Sequence, residues 1–152
     1  MMKKIITTFL LLFAIAATFA QNSHEDIQTI QNYIQKTSQN EWFDPINKKG
    51  SLSNDATYDT AYYLLSNDSV FSIIHTVYEK HTLQKVFYYK EGALIACIVE
   101  ETDANNANRL LQYADYFFKD GALLNTGDEK QAFPAAALYT EGMEKLQNVP
   151  VN

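Results

Sequence analysis

Two of the three histidines, His75 and His81, lie close together in the sequence, on either side of Glu79. A histidine oriented by a carboxylate can act as a general base, so this neighbourhood suggests a small hydrolase. No serine or cysteine nearby has the motif of an activated nucleophile, and His24 stands apart from the other two histidines. We therefore predict no catalytic residue, and keep an exported hydrolase that uses His75 or His81 with a nearby carboxylate as the alternative.

Carboxylates that could bind a metal ion are most concentrated at Glu100, Glu101 and Asp103. A calcium loop needs six or more oxygen ligands, held by an alternating acidic pattern with a glycine, and this run lacks that pattern. None of the histidines has the His-x-x-x-His or Glu-x-x-His spacing of a zinc site. The sequence thus predicts neither a metal ion nor another cofactor.

Cys97 is the only cysteine of the chain, so no disulfide can form within it. It lies in the apolar run Ala93–Val99, where a small hydrophobic residue is expected in the core. We predict that Cys97 is buried and that it is not a reactive thiol.

The first 20 residues have the features of a secretory signal peptide. Lys3 and Lys4 precede an apolar stretch, and Thr18-Phe19-Ala20 places small residues at the two positions that signal peptidase reads. The apolar stretch is shorter than the roughly 20 residues that a membrane-spanning helix needs. We therefore expect cleavage after Ala20 and a single α+β domain over residues 21–152, exported to the periplasm or secreted and not integral to a membrane.

The chain is acidic, with 18 Asp and Glu residues against 12 Lys and Arg residues and a net charge of −6. Removal of the two lysines of the signal peptide makes this charge more negative. Such a protein repels phosphate backbones, and its few basic residues form no dense cluster in the sequence. Nucleic acid is therefore not an expected partner.

A pattern of three aromatic residues, a charged turn and a glycine occurs twice. It reads FYYKEGALI in residues 87–95 and YFFKDGALL in residues 116–124. Aromatic residues favour strands, and glycine adopts the positive φ that ends a three-residue hairpin loop without steric cost. The repeat therefore predicts two similar β-hairpins.

Residues 57–127 alternate between apolar and polar residues in short runs that turn residues separate, which predicts strands. The six predicted strands are Tyr58–Leu65, Val70–Tyr78, Leu83–Tyr89, Ala93–Glu100, Leu110–Phe118 and Ala122–Asn125. Successive hairpins of this kind form a meander. The polar stretch Asp103–Asn108 is predicted to be a surface loop between the last two hairpins.

A helix is predicted on each side of the strands, at about residues 24–38 and 134–147, because apolar residues recur there at helical spacing. The segment Asn40–Asp55 shows neither period and is predicted to be irregular. No strand–helix–strand unit occurs. The predicted fold class is therefore α+β, an antiparallel six-stranded β-meander with the N-terminal and C-terminal helices packed on one face.

Alternation along the hairpins assigns each side chain to a face of the sheet. The predicted core face contains Phe87, Tyr89, Ile95, Cys97, Val99, Tyr116, Phe118 and Leu124. The opposite face is more aromatic than a solvated face requires. Its candidate binding residues are Tyr88, Tyr113, Phe117, Leu94 and Leu123.

Tyrosine offers a large contact area at a low entropic cost, so an outer sheet face of this kind suits the binding of a macromolecule. The sequence therefore favours an exported binding or accessory module whose partner is an unknown protein, peptide or glycan of the cell envelope. In a purely structural alternative, the same residues pack under a helix and the protein is an edge-paired homodimer.

The aromatic strand followed by Lys-Glu-Gly-Ala-Leu or Lys-Asp-Gly-Ala-Leu resembles the hairpins of small secreted β-meander proteins of the Bacteroidota. The likeness covers roughly residues 62–125, and the signal sequence that ends in Thr18-Phe19-Ala20 is similar too. The resemblance implies a periplasmic or secreted β-meander domain. It implies no activity and no functional residue.

Overall fold

The computed structural model describes residues 23–53, 55–124 and 133–150, so the predicted signal peptide, residues 1–20, lies outside the described residues. The described chain forms one antiparallel sheet and two helices. The elements are α1 (residues 23–40), β1 (Ile46–Ser51), β2 (Thr57–Leu64), β3 (Val70–Tyr78), β4 (His81–Lys90), β5 (Ala93–Asp103), β6 (Asn106–Lys119), β7 (Ala122–Leu123) and α2 (Ala135–Gln147).

Each strand pairs with the strands that precede and follow it in the chain, so the sheet is a seven-stranded antiparallel meander. This confirms the predicted α+β class and the meander topology. All six predicted strands form, and the two helices flank them in the sequence as expected. The sixth strand comprises only Ala122–Leu123, and its predicted end, Asn125, lies outside the described residues.

The seventh strand, β1, lies in the segment that was expected to be irregular. It pairs with β2 from Ile46 to Ser51 at the edge of the sheet. Its central residues Asn47, Lys48 and Lys49 are exposed, and charged residues are common on edge strands because they discourage pairing with other chains. A strand with so few apolar residues has no hydrophobic alternation to reveal it.

The predicted loop at Asp103–Asn108 is also replaced by regular structure. β5 continues to Asp103, only Ala104 and Asn105 form the turn, and β6 begins at Asn106. The Asp103 carboxylate accepts a hydrogen bond from the Asn105 amide at 2.9 Å, which stabilises the tight turn. The pairing register of β5 with β6 shifts between Glu101 and Asp103. The polar segment is therefore accommodated by irregular pairing within the sheet and does not form a long loop.

The two repeated hairpins have the same turn. Pairing of Lys90 with Ala93 leaves a loop of two residues, Glu91-Gly92, and the second copy has the equivalent loop at Asp120-Gly121. The φ angles are 52° and 77° in the first loop and 52° and 79° in the second. Two successive positive φ angles define a type I′ turn, so each loop is one residue shorter than the sequence predicts.

The short loop is followed by a β-bulge that changes which residues face the core. Tyr89 pairs with Leu94 but Tyr88 pairs with Ala96, so Ile95 is the extra residue. Leu94 is consequently 2 % exposed and lies in the core, where Ile95 was expected. The predicted position of Leu94 on the outer face is therefore wrong, because a bulge exchanges faces as a register slip does.

The core prediction is confirmed for six other residues but is wrong for Leu124, which is only partly buried, because the two-residue loop places Leu123 opposite Phe118 instead. A buried cluster under α2 contains the predicted Phe87, Tyr89, Cys97, Val99, Tyr116 and Phe118, together with Tyr62, Ile73, Leu94, Ala114 and Leu138. α2 approaches this face closely at Gly142, where a Cβ atom would lie 2.8 Å from both Leu94 and Phe87. The Tyr89 hydroxyl donates a hydrogen bond to the Gly142 carbonyl at 2.7 Å.

α1 lies on the other face of the sheet. Its Tyr33 ring packs edge-on against Phe71, which also contacts Phe43 and Tyr88. Asp26 near the start of α1 forms a salt bridge with Lys119 at 2.8 Å. The helices therefore cover opposite faces of the sheet, and the prediction that both pack on one face is wrong. Both faces carry aromatic residues, so each face needs a helix to cover it.

Candidate functional site

On the α2 face of the sheet, two neighbouring transverse rows of residues differ in polarity. One row is apolar and runs across six strands, through Ile46, Tyr62, Ile73, Phe87, Cys97 and Tyr116. The neighbouring row, which we call the polar row, consists of Lys48, Thr60, His75 and Lys85. Polar side chains from four adjacent strands thus lie side by side next to the core.

A cleft of about 360 Å³ lies where the C-terminal half of α2 passes over this end of the sheet. Its lining comprises Lys48, Leu52, Tyr58, Thr60, Tyr62, His75, Glu141, Glu144, Lys145 and Asn148. The volume is at the low end of the range of small-molecule sites, which is roughly 300–1,000 Å³. The cleft therefore suits a small ligand that makes several polar contacts.

Tyr58 forms one wall of the cleft because its cross-strand partner is Gly50. The Tyr58 ring lies over this glycine, and a Cβ atom at Gly50 would be only 2.6 Å from the ring. The ring centroid is also 5.5 Å from that of His75, at an interplanar angle of 46°. A glycine on β1 thus lets an aromatic ring lie flat beside the polar row.

His75 is held by Thr60, the residue that faces it on β2. The Thr60 hydroxyl and the Nδ1 atom of His75 are 2.8 Å apart, and Thr60 is buried. Burial of the imidazole lowers the pKa of His75 to about 4, and the positive charges of Lys145 and Lys85 act in the same direction. His75 is therefore uncharged at neutral pH.

Glu141 of α2 is shared by two lysines. Its carboxylate lies 2.5 Å from the Lys85 ammonium and 3.9 Å from the Lys145 ammonium. Burial lowers the pKa of Lys145 although Glu141 opposes the shift, and repulsion from Lys85 adds to it. One carboxylate therefore balances two ammonium groups at the wall of the cleft.

The geometry does not favour the hydrolase hypothesis. Among the described residues, no carboxylate forms a hydrogen bond with His75 or His81, and the buried Nδ1 atom of His81 has no partner there. A histidine with a pKa of about 4 is also a weak general base at neutral pH. Thr60, its hydrogen-bond partner, is buried under the cleft and is not presented as a nucleophile.

Two of the predicted binding residues lie together on the α1 face. Tyr113 is 53 % exposed, and Tyr88 is half-buried beside Phe71. Burial raises the pKa of Tyr88, and the Tyr113 hydroxyl contributes to the shift, so the two tyrosines are neighbours. Only Tyr113 offers a large surface to a partner.

The other three predicted binding residues are covered. Phe117 is on the predicted face but is 4 % exposed, since α1 lies over that face. Leu94 and Leu123 contribute to the core under α2, because Leu94 pairs with Tyr89 and Leu123 pairs with the buried Phe118. The five residues therefore do not form one continuous surface.

Cys97 is fully buried, as predicted, and burial raises the pKa of its thiol to about 12. Such a thiol stays protonated and unreactive at neutral pH. No three His, Cys, Asp or Glu side chains in the described part of the chain are grouped so that they could hold a metal ion. No helix within residues 23–53, 55–124 and 133–150 is long and apolar enough to cross a membrane.

Comparisons of the chain with known protein families, curated proteins and solved structures found no match. The site is therefore defined by its geometry alone. His75 is the one member of the cleft that the sequence analysis singled out. Thr60, Glu141 and Lys145 carry no motif, and only the strand register and the position of α2 bring them to His75.

Proposed function

We propose that the protein is an exported binding module that holds a small polar ligand in the cleft between β1–β3 and the C-terminal half of α2. The observation that carries this proposal is the polar row, which places ionisable groups in a concave site directly beside a close-packed core. Sites of this type combine a rigid apolar surround with a few convergent polar groups.

Rigidity supports the same function. The Thr60–His75 hydrogen bond and the Lys85–Glu141 ion pair fix side chains of β2, β3, β4 and α2 relative to one another. A ligand that binds between groups already held in place loses less of its binding free energy to ordering of the site. The cleft is thus preorganised for binding.

The proposal can be tested by recording amide NMR spectra of the mature protein during titration with small sugars, amino acids and short carboxylic acids. We expect a ligand to shift the signals of residues around the cleft. Tyr58→Leu should weaken this binding at least tenfold, because it removes a wall of the cleft. Tyr78→Leu, a matched change of an exposed tyrosine outside the cleft, should leave binding unchanged.

If no compound of the panel shifts the cleft signals, or if Tyr78→Leu and Tyr58→Leu weaken binding equally, the cleft is not the binding site. Both variants must first give native spectra.

A second candidate site keeps the macromolecular partner that the sequence suggests, an envelope protein, peptide or glycan. Three large apolar residues of β6 are exposed on neighbouring positions, namely Leu110, Leu111 and Tyr113. Exposed aromatic and aliphatic residues that lie together often anchor a protein interface. Tyr113→Ala should then remove the partner from a pull-down with envelope extract, while Tyr78→Ala should retain it.

The edge-paired homodimer is a third arrangement, and the burial of Phe117 agrees only with its premise that these residues pack under a helix. Sedimentation velocity of the mature protein separates a dimer from a monomer. Export itself, and kinship with the small secreted proteins of the Bacteroidota, remain part of the proposal and rest on the signal sequence and the repeated hairpin.

A further inference from the structure

Two lysines line the cleft of this acidic protein, and a third lies beside it. The chain has a net charge of −6, yet both ends of the polar row are lysines, Lys48 and Lys85. α2 adds Lys145, which is largely buried, and the carboxylates of Glu141 and Glu144. Two ammonium groups, those of Lys48 and Lys145, and two carboxylates, those of Glu141 and Glu144, thus line the cleft, and Glu144 is exposed to solvent. Lys85 lies beside the cleft, against Glu141.

Of the two largely buried lysines, Lys145 lies farther from its carboxylate than Lys85 does. Glu141 lies against Lys85, and Lys145 is left 3.9 Å from the same carboxylate with only 20 % of its side chain exposed. A buried ammonium group that shares its counter-ion is unfavourable, and a second anion beside it would relieve the cost. Lys48 on the rim adds a further positive charge without burial.

We propose that the ligand of the cleft is a small anion, whose carboxylate or phosphate group binds next to Lys145, Lys48 and the His75 ring. This inference rests on the proposed function, since it names the ligand class of the same site. The anion would give Lys145 a counter-ion that it does not share with Lys85. It would also accept a hydrogen bond from the imidazole, whose Nδ1 atom already contacts Thr60.

Proton uptake should accompany binding. The ionisable groups around the His75 ring are Lys48 from β1, Tyr58 from β2, Lys85 from β4, and Glu141, Glu144 and Lys145 from α2. In the free protein, burial and the lysines lower the pKa of His75 to about 4. A bound anion raises that pKa, because it stabilises the imidazolium, so binding should strengthen as the pH falls.

The experiment uses a matched pair of probes, galacturonate and galactose, which differ in one carboxylate, together with acetate and inorganic phosphate. In amide NMR titrations at pH 7, either the two carboxylates, galacturonate and acetate, or phosphate should shift the signals of the cleft residues. Galactose should bind at least tenfold more weakly than the anion that binds. The acetate and phosphate arms distinguish a carboxylate ligand from a phosphate ligand.

Matched variants test the named residues. Lys145→Met should weaken binding of the anion roughly tenfold, whereas Lys80→Met, an equal charge change at an exposed turn, should have little effect. A carboxylate such as galacturonate stays ionised between pH 7 and pH 5. Its binding should strengthen several-fold over this range in the wild type and in His81→Gln, but not in His75→Gln.

If galactose binds in the cleft as tightly as galacturonate and phosphate does not bind more tightly than either, the anion inference is overturned and the binding function stands. The same holds if Lys80→Met weakens binding as much as Lys145→Met does, since the effect would then be nonspecific attraction. If none of the anions and no neutral compound shifts the cleft signals, both the inference and the proposed function fail.

Discussion

The two faces of the sheet are built from the same strands but are closed in different ways. On the α1 face, the rings of Tyr33, Phe43, Phe71 and Tyr88 pack against one another. On the α2 face, an apolar row packs under the helix and the polar row beside it remains partly open. The α1 face is therefore closed by packed aromatic rings, while the α2 face combines a packed core with a cleft.

This difference shows that aromatic content alone does not identify a binding surface. Aromatic rings on the α1 face bury one another, whereas Tyr113 at its rim is 53 % exposed. The α2 face is open beside the core, where Lys48, Thr60 and His75 of the polar row line the cleft. The cleft thus lies where the apolar row is followed by the polar row.

The largest expected effect tests whether the α1 face is covered. Phe117→Ala should lower the free energy of unfolding by about 3–5 kcal/mol, because it removes a ring that is 4 % exposed. Tyr113→Ala, on the same face of the same strand but 53 % exposed, should change it by less than about 1 kcal/mol. Urea denaturation measures both.

A similar small change for both variants would mean that α1 does not bury Phe117, and the contrast between the two faces would be lost. Phe87→Ala, in the apolar row of the α2 face, provides the reference for a fully buried ring and should cost about as much as Phe117→Ala.

The second prediction concerns the close approach of α2 to its face. Gly142→Ala should lower the free energy of unfolding by about 1–3 kcal/mol, since the new Cβ atom would meet Leu94 and Phe87 at 2.8 Å. Alanine is the better helix former by up to about 1 kcal/mol, so destabilisation requires that the steric conflict dominates. Thr140→Ala, at an exposed position of the same helix, should be neutral or slightly stabilising.

A stabilised Gly142→Ala protein would show that α2 has room above the sheet. The cleft would then be less sharply defined than the contacts of α2 indicate.

The third prediction concerns the polar row. The unfolded chain protonates His75 near pH 6.5, but burial lowers the pKa of His75 to about 4 in the folded protein. Between these values the unfolded state binds more protons, so the free energy of unfolding decreases as the pH falls from 6.5 through 4, and the full stabilisation is present above 6.5. Allowing for solvent screening of a half-buried ring, we expect a loss of about 1–2 kcal/mol.

Urea denaturation at several pH values measures this loss. His75→Gln should flatten the decrease between pH 6.5 and pH 4, whereas His81→Gln, outside the cleft, should retain it. An unchanged pH dependence in His75→Gln would show that the imidazole is solvated and that the polar row is not part of a closed site.

The sequence predicts much of the fold because each hairpin is local. Tyr-rich runs separated by Glu91-Gly92 and Asp120-Gly121 identify the strands and turns, and the core residues Phe87, Tyr89 and Cys97 follow from alternation. The loops have two residues, however, and a bulge follows the first of them. Such irregularities depend on the packing of both faces, so Leu94 was assigned to the wrong side.

The site is less predictable than the fold. His75 attracts notice in the sequence, but its partners Thr60 and Glu141 come from another strand and from the C-terminal helix. Their meeting depends on strand register, on the edge strand β1 that has no hydrophobic pattern, and on the face that α2 covers. None of these is encoded in a short motif.

The smallest expected effect compares two adjacent tyrosines that point to opposite faces. Tyr89 is fully buried under α2 and donates its hydroxyl to the Gly142 carbonyl at 2.7 Å, while Tyr88 lies half-buried against Phe71 on the α1 face. Tyr89→Phe should lower the free energy of unfolding by about 1–1.5 kcal/mol, because a buried hydrogen bond is lost. Tyr88→Phe should cost less than about 0.5 kcal/mol, since no hydrogen bond of its hydroxyl is made with the described residues. Equal decreases in the free energy of unfolding for the two variants would show that the Tyr89–Gly142 hydrogen bond does not stabilise the contact of α2 with the sheet. The close packing of the α2 face would then depend only on apolar contacts.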